Sequence, residues 1–383
     1  MILPHPSRRI WLFLDHEAIA TTLVQHNDKL KKSFDYQLLT DILGDGLITT
    51  EGAVWEEDRS RLQPAFKPAA NAAFLPIMQK RIDAYMDTLK VGEERDLYQD
   101  SLAITLGVIG ERMFYRNVDE HMQRIVTALA HCLGSITVRG ALPVDLPKRY
   151  PKIFARRFVR ELATLRGIIA ELMDERRGST EPFDMNAMMQ KDPAFSRERM
   201  VNHLLTMFSA GYETTASALG WMWMLVAERP ALQELVRGAD DSVLRAVCDE
   251  SLRLYPSLPT FGREVTAPFQ IDDIALVPGD SIGYCPYATH RLEAHFHDPD
   301  RFDHTRFLRV EGKPPPKKGS YLPFALGQRA CIGASFALTE MQLVLGSMLK
   351  RFRLELVDPP ERAALRVSYA PHPGVIVKLL PTA

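Results

Sequence analysis

The sequence predicts an α+β protein, mainly helical with small β-sheets, folded as one domain over residues 1–383. Most of the chain carries the 3.6-residue periodicity of helices. Short β-rich runs gather after Pro256. No internal repeat, low-complexity tract or clear linker divides the chain, and KPPPKKG at 313–319 is the most linker-like piece.

In order, the apolar run of SRRIWLFL, residues 10–14, ends at Asp15, His16 and Glu17. It is too short for an export signal core or a spanning helix, so a strand is expected there. Residues 16–31 and 71–89 are amphipathic and predict helices, as do 119–133 and 152–177. The stretch between the last two, GSITVRGALPVDLPKRYP, is rich in Gly and Pro and predicts a loop. Residues 196–229 form the longest helical pattern and are apolar almost all round, which suits a helix at the centre of a domain. Strands are expected in FGREVT, FQIDD, IALVPGDSIGYCP, RFRLEL and GVIVKLL, with a helix at 334–349.

Composition narrows the function classes. A formal net charge of −1 leaves no basic footprint for nucleic acid. Cys132, Cys248, Cys285 and Cys331 are far apart with no CxxC pair. That spacing argues against zinc and disulfide frameworks and suits a reducing cytoplasm.

The most informative stretch is FALGQRACIGASFALTE, Phe324 to Glu340. Cys331 precedes an apolar helix-like run, where free N–H groups and the helix dipole stabilise a thiolate. Gly333 lets backbone amides approach the sulfur, Gly327 suits a turn with positive φ, and Arg329 adds a cation. A thiolate so placed could be a nucleophile, a metal ligand or a redox sensor. A nucleophile needs a base, zinc needs further ligands, and a haem iron needs one axial thiolate. A buried structural thiol is the remaining alternative.

F324-x-x-G327-x-R329-x-C331-x-G333 resembles the haem-binding signature of the cytochrome P-450 family of haem-thiolate monooxygenases. Four further segments share the resemblance. E250-S-L-R253 is similar to the family's ExxR motif, whose side chains share one helix face. The resemblance implies a buried network completed by Arg306, although His304 and Thr305 stand where the family usually has Pro-Glu. Ala210, Gly211, Tyr212, Glu213, Thr214 and Thr215 resemble the oxygen-activating stretch, in which the glycine opens room over the haem. There Thr214 and Glu213 take the positions that relay protons. W55-E-E-D-R59 resembles the segment whose indole and guanidinium hold a haem propionate. Many relatives have His before that arginine; here Asp58 cannot donate when ionised and is expected to point away. The QPAF that follows, Gln63 to Phe66, also fits. Arg263 matches another propionate-binding arginine, Arg329 would be a further one, and His290-Arg291 extends the match.

The resemblance implies the cytochrome P-450 fold, with the long central helix over haem b and Cys331 as the axial iron ligand. It covers the chain from about Arg9 onward. Relatives usually carry a proline-rich segment, a first helix and a first strand before this chain's start, so either the numbered sequence starts late or the fold is trimmed, with the first helix and strand missing. The implied activity is monooxygenation of a hydrophobic small molecule with dioxygen. Electrons would come from a ferredoxin or flavodoxin-type donor with its reductase, in the cytoplasm and without a transmembrane segment. Lys313, Lys317 and Lys318 would steer an acidic partner, and a solvated loop explains them equally well. The matching substrate regions are apolar: Phe34, Tyr36, Leu38, Leu39, Ile42 and Leu43, then Met207, Phe208 and Ala210, then Leu258, Thr260 and Phe261, with Ala370 and Pro371. Two alternatives are a haem-thiolate enzyme that uses peroxide or performs coupling or desaturation, and a non-catalytic haem-binding sensor. Glu213 and Thr214 count against the peroxide version and against the sensor.

Overall fold

The structure is a computed structural model, and it describes residues 2–3, 9–115, 118–140, 152–175, 185–309, 314–365 and 368–382. The chain divides into two units. The first comprises residues 1–33, 83–101 and 214–383, and the second 34–82 and 102–213.

The first unit holds the sheets. Ile10–Phe13 runs parallel to Ser281–Tyr284, with Ile2–Leu3 antiparallel on its other edge. Phe261–Val265 lies between Ser281–Tyr284 and Leu30–Lys32, giving five strands in all. A second sheet places Ile376–Pro381 between Glu94–Asp96 and Phe352–Asp358. Two small hairpins pair Phe269–Ile271 with Ile274–Leu276, and Arg362–Leu365 with Tyr369–His372. The strand expected at 10–14 and those expected after Pro256 are present. Alternation along these strands buries Phe13, Leu30, Val265, Ile282 and Tyr284 in one cluster with Ile19, Leu23 and Leu322.

Residues 16–31 depart from the single helix that their periodicity predicts. The α-helix His16–Ala20 passes into a π-helical turn at Thr21–Gln25, then a 3₁₀ turn at Asn27–Lys29 and the strand from Leu30. Two causes are local and one is tertiary. Thr22 turns its hydroxyl back onto the carbonyls of Ala18 and Ile19, at 2.9 and 3.0 Å. Thr21, Thr22 and Val24 are β-branched and poor in a helix. Pairing of Leu30 with Val265 and Lys32 with Arg263 then takes the end of the segment into the sheet.

The second unit is helical in its described residues, with Asp35–Leu43, Gly52–Leu62, Asp119–Gly140, Lys152–Glu175 and Met185–Gln190 among its elements. The loop predicted from residue 134 is helical as far as Gly140. One glycine costs a helix only about 1 kcal/mol, and burial of Ile136 offsets it. The rest of that loop, 141–151, and residues 176–177 lie outside the described residues. Pro68–Met86, Leu97–Phe114 and the long helix Arg197–Ala227 contribute residues to both units. The long helix is buried along most of its length, as its all-round apolar pattern predicts. No described helix is long and apolar enough to cross a membrane.

Candidate active site

The cysteine loop belongs to the first unit. Leu322 anchors its start in the sheet core. The chain then folds back so that the Cys331 N–H donates to the Phe324 carbonyl at 2.9 Å, and the Ala330 N–H to Gly327 at 3.1 Å. Gly327 has φ +79°, and a Cβ there would sit 2.1 Å from the Leu23 carbonyl oxygen, so only glycine fits. Gly333 caps the helix Ala334–Arg351. Cys331 is exposed just before that helix, while Phe324, Gly327, Arg329 and Gly333 are half-buried. A lone structural cysteine would be buried in such a setting; this one presents its sulfur.

Arg263 lies on a central strand and is 5% exposed. One guanidinium NH donates to the Gly262 carbonyl at 2.8 Å, while Nε makes no hydrogen bond among the described residues. A buried guanidinium with an unmatched donor fits an anion such as a carboxylate.

Behind the loop is a buried network. On the helix Asp241–Leu254, Glu250 and Arg253 are both 0% exposed. Arg253 grips the Glu250 carboxylate through Nε and an NH group at 2.7 and 2.8 Å. It also donates to the carbonyls of His290, Pro299 and Arg301. The Asp303 N–H donates to Glu250 at 2.8 Å, and Arg306 Nε stands 3.4 Å from the same oxygen. His304 and Thr305 therefore do not prevent Arg306 from reaching the network. The Leu322 N–H donates to His290 Nε2 at 2.8 Å, so the imidazole proton sits on Nδ1, which donates to the Arg253 carbonyl. Burial, chiefly, lowers the His290 pKa to about 3 and keeps the ring neutral.

The long helix changes character at one stretch. Residues 201–209 are buried without a break, then Ala210 is exposed, Gly211 and Thr214 are half-buried, and burial resumes at Thr215. Positions 210, 211 and 214 share one face, so the helix has an open stripe there. Glu213, beside it, is 8% exposed. A Cβ at position 211 would lie 3.0 Å from the Ile109 side chain, so the glycine also permits close packing. Two hydroxyls tie down the backbone of this stretch. Thr105 donates to the Tyr212 carbonyl at 3.0 Å, and Ser257 to the Thr214 carbonyl at 2.7 Å. No sequence signal marked Thr105 or Ser257, because a hydroxyl aimed at a distant carbonyl has no local pattern.

In the second unit, the helix Gly52–Leu62 buries Trp55, Asp58 and Leu62. Arg59 lies one turn after Trp55, with Nε donating to Gln63 at 2.9 Å. Asp58 is 0% exposed and pairs with Arg199 and with His203, whose Nε2 is 3.4 Å away. Its partners are thus on the long helix. Of the apolar residues expected at the substrate, Ile42 and Phe208 are 0% exposed and leave no surface for a ligand, whereas Phe34 and Leu258 are 42% and 40% exposed. Of the three lysines, Lys317 and Lys318 are exposed and Lys313 lies outside the described residues.

Sequence comparison decides the family. The profile described as cytochrome P450 matches residues 5–376. The chain is a cytochrome P450. Among curated relatives, this P450 is 31% identical over 342 residues to cyclooctatin synthase of Streptomyces melanosporofaciens, covering 82% of this chain and 73% of that one. It is 27% identical to cyclooctat-9-en-7-ol 5-monooxygenase of the same organism, covering 82% and 74%. Among solved structures, it superposes on the crystal structure of CYP175A1 from Thermus thermophilus with TM-score 0.85 and 30% identity, covering 99% of this chain and 91% of that one. A six-coordinated cytochrome P450 from another strain of Thermus thermophilus gives TM-score 0.83 at 29% identity, covering 99% and 94%.

The P450 is thus an oxidoreductase with haem b as its cofactor. Its residues fit that group on three observations: the exposed Cys331 sulfur, the open stripe at 210, 211 and 214, and the unmatched Nε of buried Arg263. The first unit brings together Phe324, Gly327, Arg329, Cys331 and Gly333 on one loop, and Glu250, Arg253 and Arg306 in one network. The second holds Trp55 and Arg59 on one helix, and Ala210, Gly211 and Glu213 on another.

Proposed function

We propose that this P450 is a cytoplasmic monooxygenase, acting as one domain, that inserts one oxygen atom from dioxygen into a hydrophobic small molecule. The observation that carries this reading is the exposed Cys331 sulfur at the start of a helix. When bound, the haem would supply dioxygen activation, a chemistry that a cysteine thiolate ligand favours.

The chain's own residues hold and protect that chemistry. Cys331 would hold the haem iron through its sulfur, with Phe324, Gly327 and Gly333 shaping its loop. Trp55, Arg59, Arg263 and Arg329 hold the propionates, since guanidinium groups match carboxylates. Ala210 and Gly211 leave space on the long helix. Thr214 and Glu213 hold and pass protons where oxygen is activated, and an apolar surround excludes water. Glu250, Arg253 and Arg306 brace the structure behind the cysteine loop. Phe34 and Leu258, exposed and apolar, are among the expected residues with surface to offer a substrate. Electrons come from a ferredoxin or flavodoxin-type donor with its reductase. The relative named as a monooxygenase supports oxygen insertion over the peroxide and sensor alternatives.

One spectrum tests the ligand. The reduced protein under carbon monoxide should show the red-shifted Soret band of thiolate-ligated haem, and Cys331→His should abolish it. A histidine-type band in the parent protein would overturn the assignment. Thr214→Ala should lower the yield of oxygenated product per electron consumed; unchanged coupling would remove Thr214 from its role.

A further inference from the structure

Asp15, His16 and His295 come together in the first unit, some 280 residues apart in sequence at the extremes. One ligand atom from each lies within 4.8 Å of the others. We propose that they form a binding site for a divalent transition-metal ion of the zinc class, which ties the start of the helix His16–Ala20 to the turn at 292–296.

The atoms are presented as ligands rather than used as partners. Asp15 caps the helix through Oδ2, which accepts the N–H groups of Glu17 and Ala18 at 2.9 and 3.0 Å. Its Oδ1 stands 3.5 Å from His16 Nδ1. That nitrogen is buried and makes no hydrogen bond among the described residues. With zinc about 2.1 Å from each ligand, the edge of a tetrahedron is about 3.4 Å, so the pair already has the separation of two ligands to one ion. His295 turns its Nδ1 to the Thr289 carbonyl at 3.1 Å. That hydrogen bond places the ring proton on Nδ1 and leaves the Nε2 lone pair for a metal, as the outer partner of a ligating histidine does. The two rings meet edge to face, with centroids 5.1 Å apart. Contact of all three ligands with one ion needs side-chain shifts of about an ångström, which partly exposed groups can make.

The surroundings favour a cation. Burial pushes the Asp15 carboxyl pKa up, but the two N–H groups and the nearby His16 and His295 outweigh it, and the net shift is downward. Glu17, 83% exposed and 3.9 Å from His16 Nε2, adds negative charge at the rim. Two imidazoles and one carboxylate suit zinc, nickel or copper. Magnesium and calcium prefer all-oxygen sites. The bracing would reach the cysteine loop: Leu23, further along the same segment, abuts Gly327, and Asn27 donates to Gln328 at 3.0 Å.

The test uses the haem-loaded full chain, stripped with a chelator and titrated calorimetrically with zinc chloride. The parent should bind one ion in a site that Asp15→Asn and His295→Gln each weaken at least tenfold. Asn keeps the helix cap, and His295 is only partly buried, so both variants should fold. Zinc should also raise the thermal midpoint of the parent and not of either variant, and magnesium should raise none. Equal zinc affinity and stoichiometry in the parent and both variants would overturn the proposal.

Discussion

His290 accepts the backbone N–H of Leu322 at 2.8 Å, joining the turn after the helix Pro286–Thr289 to the first residue of the cysteine loop. The contact needs a neutral ring, and burial provides one by lowering the pKa from 6.5 to about 3. The unfolded chain binds a proton near pH 6.5 that the folded chain refuses until about pH 3. Stability from this group is therefore fully present above pH 6.5 and is lost as pH falls toward 3. Urea unfolding should show a fall of up to about 1.4 kcal/mol per pH unit from this group. His290→Asn should flatten that slope; an unchanged slope would mean that His290 is not the titrating group.

Asp58 and Arg199 should show the asymmetry of a buried ion pair. Arg199→Met leaves a wholly buried carboxylate beside His203 and should cost about 3 kcal/mol in urea unfolding. Adding Asp58→Asn should recover much of that loss. A double variant no more stable than Arg199→Met would show that the pair is not coupled.

The Glu250 network should have a strong centre and a weak edge. Glu250→Ala leaves Arg253 buried and without its carboxylate, and should cost about 3–5 kcal/mol. Arg306→Leu removes a longer, 3.4 Å contact from a side chain 14% exposed and should cost about 1 kcal/mol. Chemical denaturation of both variants, with haem content measured alongside, checks the ranking. Equal losses would place Arg306 at the centre of the network.

Gly327→Ala should be among the costliest single-methyl additions in this chain. It combines positive φ with a Cβ 2.1 Å from the Leu23 carbonyl oxygen, for about 3 kcal/mol or more. The variant should give little haem-loaded protein. A normal yield with the parent's urea midpoint would show that the loop relaxes freely around position 327.

Local chemistry determined a good part of this protein. The long helix, the helix after Cys331 and the strands after Pro256 were legible because apolar periodicity and glycine placement act over a few residues. The cysteine loop was legible too, since the positive φ of Gly327 and the position of Cys331 before a helix are properties of adjacent residues. Tertiary structure decided the rest. Residues 16–31 have helical periodicity, yet pairing with Phe261–Val265 takes their end into a sheet. Gly134 looks like a breaker, but the helix runs through it because packing outweighs about 1 kcal/mol of propensity. The pairing of Asp58 with Arg199, the hydroxyls of Thr105 and Ser257 on the long helix, and the meeting of His16 with His295 join residues far apart in the chain. Such contacts leave no period to read, because what selects them is the shape and polarity of a surface that exists only once the chain has folded.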